Sequence, residues 1–359
     1  MSDSIKSIIT GTGSYIPGQK IPNSHFLDHD FLKPDGSPFD KTNDEIIQKF
    51  KEITGIRERR YASDDTLASD MGAEAGGKAL EAAGLSGEEL DYIIVAHNFG
   101  DIKADNRRVD LVPSLASRIK HKLGIENPQC IAYDLPFGCP GWLQGVIQCD
   151  YYLRSGDASS ALIIGTETLS RICDPHDRDS MIYADGAGAV VLESRKSEQA
   201  VGVLSHASRT DTNKEAYFLR MEPSFNPDRD DTLYLKMDGR KLYQYALTNV
   251  PGVVKNCLDT AGLAIDDVSK VLIHQANAKM DQAILDRILK LYGKTEAPDK
   301  IMPMTISWLG NTSVATVPTL LDLIQTDRIS GHQIESGDCL VFASVGAGMN
   351  INAAAYRVP

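Results

Sequence analysis

The sequence has few cysteines, and they lack the spacing of a structural framework. Six cysteines are scattered over 359 residues, and none forms a C-x-x-C pair. A disulfide-stapled domain needs many cysteines in a short chain, and a zinc site usually needs closely spaced pairs. The pattern therefore predicts reduced thiols that lie mostly in the core.

Long apolar segments are also missing. No run reaches the roughly 18 consecutive apolar residues that a membrane helix needs. The first ten residues, MSDSIKSIIT, contain no apolar stretch of the kind found in a secretory signal. We therefore expect a cytoplasmic protein that makes no membrane contact.

Positive charge is in deficit. Lysine and arginine total 37 against 49 aspartates and glutamates, which gives a net charge of −12. Nucleic-acid-binding proteins are usually basic, so we predict no nucleic-acid partner. An acidic protein partner would need a local basic patch. We see no metal-ligand cluster and no phosphate-loop motif, and Gly11-Thr12-Gly13 lacks the third glycine of a dinucleotide fingerprint. No metal or organic cofactor is expected.

The sequence does contain a regular alternation of strands and helices. Apolar, β-branched runs predict strands at Ile5–Ile9, Tyr92–His97, Ala132–Leu135, Ala161–Thr166, Ala187–Leu192, Val271–His274 and Cys339–Ser344. Helical periodicity predicts helices at Leu67–Ala83, Pro113–Leu123, Pro140–Ser155, Arg240–Ala261, Lys279–Tyr292 and Val314–Gln325. Continuous apolar strands between helices indicate a layered α/β fold.

One pattern occurs twice. Ala83-Gly84-Leu85, an acidic pair and a buried strand recur 178 residues later, beginning at Ala261-Gly262-Leu263. The same offset places Leu162–Ile164 on Leu340–Phe342. Repetition at one offset predicts two similar halves, 1–195 and 196–359. Two polar segments, 25–51 and 209–230, interrupt this pattern and are expected to be excursions from it.

Cys139 is the candidate nucleophile. It follows a predicted strand and the turn-forming Pro136 and Gly138, and Pro140 stands at the start of the next helix. A cysteine at or next to a helix N-terminus meets free N–H groups and a favourable dipole, which can lower its pKa. The sharp turn from strand to helix would also lift its side chain off the sheet. The other five cysteines lack this setting and are expected to be core residues.

Two polar residues at strand or turn ends are candidate partners of Cys139. His274 ends a buried strand, and Asn311 lies in a turn of small residues before a helix. Ligand chemistry in α/β folds is placed at such ends. Alone, either residue would more often be structural. The glycine-rich stretch from Ala343 to Met349 follows another strand and offers backbone N–H groups for an oxyanion hole.

An ordered set of motifs covers most of the chain: Thr54-Gly-Ile-Arg-Glu-Arg-Arg60, Gly138-Cys-Pro-Gly-Trp142, Cys173-Asp-Pro-His-Asp-Arg178, Asp185-Gly-Ala-Gly-Ala189, His274-Gln-Ala-Asn277 and Gly310-Asn-Thr-Ser313. In order and spacing this set resembles the β-ketoacyl-acyl carrier protein synthase III family. The resemblance implies a thiolase-like five-layered αβαβα fold, a homodimer, and acyl carrier protein and acyl thioesters as partners.

The resemblance also implies roles for individual residues. Cys139 would carry the acyl group, while His274 and Asn311 would stabilise the enolate formed when a malonyl thioester loses carbon dioxide. The backbone N–H groups of Cys139 and Gly348 would form the oxyanion hole. Further binding roles are implied for four residues: Arg178 and Asn277 toward the substrate, Lys279 toward the carrier, and Val112 as an acyl-pocket gate contributed by the partner subunit.

The chain departs from the family where coenzyme A primers are usually clamped. The segment Glu45–Ile53 has neither the tryptophan nor the arginine that holds the adenine. An acyl-carrier-bound primer is therefore an alternative to acyl-coenzyme A, and Val112, smaller than the usual aromatic residue, suggests a longer or branched primer. Lys279 with Arg287 and Lys290 forms either a docking face or an ordinary solvated helix face.

Three other functions stay open beside the decarboxylative condensation that initiates fatty-acid or related synthesis. The first is a specialised condensation of β-ketoacyl thioesters toward resorcinol-type products. The second is O- or N-acyl transfer. The third, a carrier-binding scaffold that has lost activity, is disfavoured because Cys139, His274 and Asn311 are all present.

Overall fold

The computed structural model describes residues 4–229 and 231–359. Its strands are β1 Ser4–Tyr15, β2 Gln19–Pro22, β3 Glu58–Tyr61, β4 Tyr92–Ala96, β5 Asp101–Ile102, β6 Val109–Asp110, β7 Ile131–Leu135, β8 Ser160–Thr168, β9 Asp185–Ser197, β10 Gly202–Thr210, β11 Leu219–Pro223, β12 Leu233–Met237, β13 Lys270–Ile273, β14 Cys339–Gly346 and β15 Asn350–Arg357. Its helices are α1 Asn43–Thr54, α2 Ala68–Ala83, α3 Leu115–Lys122, α4 Gly141–Ser155, α5 Gly239–Ala261, α6 Ala278–Leu291, α7 Ile306–Leu309 and α8 Thr316–Gln325. Every strand and helix predicted from the sequence is present, with ends shifted by a few residues.

Two large sheets organise the molecule. The first has the strand order β1-β9-β8-β4-β7, and the second has the order β10-β15-β14-β13. In both sheets the inner pairs β4–β8 and β13–β14 run parallel, while the pairs toward β1 and β10 run antiparallel. These parallel strands are buried on both faces, which explains their continuous apolar sequence.

The alternation of side chains along each strand builds the layers. Ile93 and Ile164 pack with α2 and α3, whereas Ile94 packs with α4 and α8 in the centre of the molecule. In the second sheet, Phe342 faces the same central layer and Val341 faces α5 and α6. Because successive residues of a strand point to opposite faces, two sheets create five layers. The predicted αβαβα architecture is confirmed.

The two sheets repeat one topology. β1, β4, β8 and β9 correspond to β10, β13, β14 and β15, and α2 and α5 both end at a left-handed glycine, Gly84 and Gly262. One detail differs from the prediction. Tyr92 pairs with Ala161, but its counterpart Lys270 pairs with Leu340, so β8 and β14 are 179 residues apart, not 178. We propose the halves 1–195 and 196–359, although β9 continues to Ser197.

Gly11 and Gly13 serve packing in β1. A Cβ atom on Gly11 would lie 2.1 Å from the carbonyl oxygen of Ala79, and one on Gly13 would lie 2.2 Å from that of Ala75. Only glycine lets α2 lie this close to the strand. The partial dinucleotide motif is therefore explained by helix–sheet contact.

Both predicted excursions contain regular structure that the sequence analysis did not anticipate. The segment 25–51 holds most of α1, which begins with a capping box between Thr42 and Glu45. The segment 209–230 leads into a hairpin of β11 and β12, and its last residue, Asp230, lies outside the described residues.

The β11–β12 hairpin is fastened to the body of the protein by Lys236. The ammonium group of this buried residue lies 2.5 Å from Asp174 and 3.3 Å from Asp177, and 3.2 Å from the centre of the Phe225 ring. A buried charge needs such partners to offset the loss of water. The hairpin is thus held at a defined position over the interior.

The described residues include no helix of the length and apolarity needed to cross a bilayer. All six cysteines are free, and all except Cys139 are buried. The expectation of reduced thiols in the core is therefore confirmed for the other five.

Candidate active site

The turn between β7 and α4 presents Cys139. Pro140 is the N-cap of α4, so Cys139 stands one residue before the cap, as the sequence predicted. Gly138 adopts a φ of 72°, which favours glycine. This turn projects the thiol between the two halves of the molecule.

The connection between β14 and β15 lies directly against this turn. A Cβ atom on Gly138 would lie 2.8 Å from the backbone nitrogen of Ala347, and one on Gly346 would lie 2.5 Å from the nitrogen of Cys139. The side-chain amide of Asn350 donates to the carbonyl oxygens of Ala347, at 3.0 Å, and Phe137, at 3.5 Å. Two glycines and one amide thus bring the backbone N–H groups of Cys139 and Ala347 to the same place.

The environment of the Cys139 thiol differs from the expectation. The hydroxyl of Ser313 donates to its Sγ at 3.4 Å. Burial raises the pKa of the thiol to about 11, although the Ser313 hydrogen bond lowers it, and the nearby Glu167 carboxyl raises it further. The predicted lowering by the helix N-terminus is therefore outweighed by loss of solvent.

His274 follows the last residue of β13 and is 3% exposed. Its backbone N–H donates to the carbonyl oxygen of Ala343 at 2.8 Å, which continues the sheet contact beyond the strand. Burial lowers the pKa of the imidazole to about 4, so the ring is neutral at pH 7. A neutral imidazole is suited to donating a hydrogen bond without carrying charge.

Asn311 is placed by α7 and by the left-handed Gly310, whose φ is 70°. Its carbonyl oxygen accepts from the Ala184 N–H at 2.8 Å, and its side-chain oxygen accepts from the Ser313 N–H at 2.8 Å. The amide nitrogen is left as the group that faces a ligand. Ser313 therefore orients Asn311 as well as contacting Cys139.

Gln275 connects the histidine and asparagine segments. This fully buried side chain donates to the carbonyl oxygen of Pro303 and accepts from the N–H groups of Thr305, at 2.8 Å, and Ile306, at 3.0 Å. It therefore holds the start of α7, the helix before Asn311, beside the residue that follows His274.

Cys139, His274 and Asn311 line one inner cavity of about 240 Å³. The polar floor of this cavity is completed by Asn98, Gly138, Ser313, Gly346 and Ala347. Its remaining wall is mostly apolar, and the β11–β12 hairpin contributes Leu219, Arg220, Met221, Leu235 and Met237. A thiol, a neutral imidazole and an amide thus face one small, largely apolar space.

A second, outer cavity of about 340 Å³ opens beside the first and shares five lining residues with it: Met237, Leu242, Ala276, Met280 and Asn311. The two cavities together form a passage to Cys139. Four cationic side chains line its outer part: Lys41, Lys49, Arg178 and Arg240. Two predicted binding residues lie here. Arg178 stacks on Phe39, and Asn277 caps α6.

Three predicted residues do not line either cavity. Lys279 is exposed in the first turn of α6, next to the cavity-lining Asn277 and Met280. Val112 is 86% exposed and lies outside both linings within the chain itself. Gly348 is also absent from the inner lining, where Ala347 stands in its place. The second oxyanion donor is therefore corrected from Gly348 to Ala347.

Sequence reasoning gave no role to Asn98, Glu167, Ser313 or Gln275. Asn98 donates from its side-chain nitrogen to Glu167 and, at 3.1 Å, to Ser313. Glu167 is 2% exposed, and burial raises the pKa of its carboxyl to about 8. An acidic residue inside an otherwise apolar strand was the one signal in the sequence that pointed to this network.

Comparison with known proteins agrees with this geometry. The family described as 3-oxoacyl-[acyl-carrier-protein (ACP)] synthase III matches residues 133–212, and its C-terminal part matches 258–358. The chain is 33% identical to the β-ketoacyl-[acyl-carrier-protein] synthase III of Sphingopyxis alaskensis, over 98% of this chain and 99% of that protein. The crystal structure of 3-oxoacyl-(acyl carrier protein) synthase III from Pseudomonas aeruginosa PAO1 superposes with a TM-score of 0.79 at 26% identity, covering 99% and 98% of the two chains. The priming β-ketosynthase of the R1128 polyketide pathway gives a TM-score of 0.81 at 26% identity, covering 100% and 98%. The chain therefore belongs to the β-ketoacyl-[acyl-carrier-protein] synthase III family.

Proposed function

We propose that this protein is an acyltransferase that condenses an acyl thioester with malonyl-acyl carrier protein to give a β-ketoacyl thioester. The observation that carries the proposal is the common cavity of Cys139, His274 and Asn311. A nucleophile from one half and two hydrogen-bonding groups from the other meet there, at the end of a passage from the surface.

In the first step, the Cys139 sulfur attacks the carbonyl carbon of the acyl thioester. The bond to the carrier sulfur breaks, the carrier thiol leaves with a proton, and the acyl group stays on Cys139. Negative charge develops on the carbonyl oxygen, where the N–H groups of Cys139 and Ala347 would stabilise it. Covalent capture divides the reaction into two easier steps.

In the second step, His274 and Asn311 hold the thioester carbonyl of the malonyl donor. The bond to its carboxylate breaks, carbon dioxide leaves, and the electron pair forms an enolate. The enolate carbon then attacks the acyl group and releases the Cys139 thiolate. Because the pKa of His274 is about 4, the ring would act as a neutral donor, and Asn311 would donate from its free amide nitrogen.

The passage indicates how the carrier arm would enter. Lys41, Lys49, Arg178 and Arg240 give the outer cavity positive charge in an acidic protein, which suits a phosphate-bearing arm and an acidic carrier. Exposed Lys279 extends this charge to α6 as a docking contact. Asn277, which lines the outer cavity, would contact the arm there.

We also propose a homodimer in the cytoplasm. Val109, Leu111 and Val112 are 46%, 48% and 86% exposed, and a partner subunit would cover this apolar loop. Val112 would then gate the partner's acyl pocket. Six free cysteines suit a reducing compartment.

A second candidate is priming of a specialised pathway. It is favoured by the similarity to a polyketide priming ketosynthase and by α1, which lines the outer cavity without a tryptophan or arginine. The chemistry at Cys139 would be the same, and the acyl acceptor or the product would differ.

The test is intact-protein mass spectrometry of wild type and Cys139→Ala with a panel of acyl thioesters, followed by malonyl-carrier. Cys130→Ala, which removes a buried thiol distant from the cavity, is the matched control. We expect an acyl adduct on wild type and the control only, and its discharge as a β-ketoacyl product. His274→Ala and Asn311→Ala should still be acylated but should not discharge.

An adduct that malonyl-carrier leaves in place on wild type would favour the second candidate. If no thioester acylates wild type, the role assigned to Cys139 is refuted.

A further inference from the structure

A chain of hydrogen bonds leads from Cys139 to a buried acid. The Ser313 hydroxyl donates to Cys139 Sγ at 3.4 Å, and the Asn98 side-chain nitrogen donates to the Ser313 oxygen at 3.1 Å. The same nitrogen donates to Glu167. The contributors are separated widely in sequence, and the folded structure aligns them behind the thiol.

Glu167 is an unusual residue for its place. It stands in β8, whose nine residues are all buried, and its side chain contacts no cation that would offset its charge among the described residues. Burial raises the pKa of the carboxyl to about 8, and the charge of Asp185 acts in the same direction. Burying a carboxyl against one amide is unfavourable for stability. A role in the adjacent cavity would explain its presence.

The network fixes the direction of each hydrogen bond. An ionised carboxylate only accepts, so Glu167 makes Asn98 turn its NH₂ group inward. One hydrogen of that group goes to Glu167 and the other goes to Ser313. Because the Ser313 oxygen already accepts from Asn98, its own hydrogen is directed to the Cys139 sulfur.

We propose that Glu167 and Asn98 are positioning residues that hold the Ser313 hydroxyl as a hydrogen-bond donor to Cys139 Sγ. A donor stabilises a thiolate more than a thiol, and so favours the reactive form of Cys139. The proposal rests on the role of Cys139 as a nucleophile.

The backbone of Ser313 supports this assignment. Its φ is 53°, a conformation that non-glycine residues rarely adopt. This geometry places the hydroxyl toward Cys139 while the N–H holds the Asn311 side-chain oxygen at 2.8 Å. One strained residue therefore orients both the nucleophile and a group that would contact the donor thioester.

The experiment measures the rate at which iodoacetamide alkylates Cys139 between pH 7 and 9, followed by intact mass. Alkylation needs neither carrier nor acyl thioester, so its outcome is independent of whether the condensation occurs. The variants are Ser313→Ala, Asn98→Ala, Glu167→Leu, Glu167→Gln and the double variant Ser313→Ala/Glu167→Leu. Cys139→Ser gives the background from the five buried thiols. The circular dichroism spectrum and thermal midpoint identify any variant that fails to fold.

We expect Ser313→Ala to raise the thiol pKa by about one unit. The thiolate fraction then falls about tenfold, but a more basic thiolate is a better nucleophile, so alkylation slows about threefold. Asn98→Ala and Glu167→Leu should slow it similarly. Glu167→Gln keeps an acceptor for Asn98 and removes a negative charge, so its rate should equal or exceed that of wild type.

The double variant is the decisive test, because Glu167 is assigned an effect only through Ser313. Its rate should match that of Ser313→Ala alone. Independent losses that multiply would overturn the proposal, as would a wild-type rate for folded Ser313→Ala. If Glu167→Leu does not fold, the same comparison is made with Asn98→Ala and its double variant.

Discussion

Asp281 offers a direct test of how burial acts in this fold. The residue lies in the first turn of α6, it is completely buried, and neither carboxyl oxygen has a hydrogen-bond partner among the described residues. Burial raises the pKa of the carboxyl well above its usual range, and the backbone of Asn277 opposes this only in part. The unfolded chain ionises near pH 4, whereas the folded chain resists ionisation. The carboxyl therefore destabilises the protein above about pH 4, and increasingly so as the pH rises toward the folded pKa.

Replacing this side chain with one that needs no partner should stabilise the protein. Unpaired polar groups cost about 1–3 kcal/mol in mutational series, and Asp281→Leu removes two such oxygens within a similar volume. We expect the free energy of unfolding at pH 7 to rise by about 1–3 kcal/mol. Asp281→Asn removes the ionisation but leaves an unpaired amide, so its gain should be smaller and its pH dependence flatter than that of wild type.

The assay is urea unfolding of wild type and the two variants at pH 5, 6, 7 and 8. The advantage of Asp281→Leu should grow with pH, because only wild type carries the penalty for ionising. Asp286→Asn, on an exposed position of the same helix, is the matched control and should change stability by less than about 0.5 kcal/mol. A destabilised Asp281→Leu, or a gain that does not change with pH, would show that the carboxyl has a partner in solution.

Four further outcomes follow from the structure. Gly346→Ala places a Cβ atom 2.5 Å from the nitrogen of Cys139, so acylation measured by mass should fall about 100-fold or more. Asn350→Ala releases the contact between the two sides of the oxyanion hole and should slow acylation about five- to tenfold with unchanged circular dichroism. Gly252→Ala, in α5 with no atom within 4 Å of the added carbon, should raise the free energy of unfolding by about 0.5–1 kcal/mol in urea. His274 has a pKa lowered to about 4, so the unfolded chain binds the extra proton first. Stability should then fall by about 2 kcal/mol more in wild type than in His274→Asn between pH 7 and pH 5.

Most of the fold could be predicted because its strands and helices carry local patterns. The Ala-Gly-Leu endings of α2 and α5 require a left-handed residue, and Gly84 and Gly262 supply it with φ values of 65° and 69°. The one-residue difference between the repeat offset and the sheet register was not visible, because strand pairing is set by contacts across the sheet. α1 was missed even though Thr42 and Glu45 form a recognisable capping box, since Pro34 and Gly36 drew attention to the polar part of the segment.

The site was predicted as far as single residues announce themselves. Cys139 has a distinctive turn, and the family motifs marked His274 and Asn311. The pKa of Cys139 could not be predicted, because helix position and burial act in opposite directions and burial is a property of the folded chain. Gly348 was chosen for its residue type, but the site needs a backbone N–H, which Ala347 provides equally well.

The Lys236 anchor separates the attachment of the β11–β12 hairpin from its shape inside the cavity. Leu235 and Met237 line the inner wall, while the residue between them points away and binds Asp174 and Asp177. Substitutions on the inward side can thus accumulate during evolution without loosening the hairpin. The acyl chamber has an interchangeable wall, so relatives with the same nucleophile can diverge in the acyl groups they accept while their backbone stays in register.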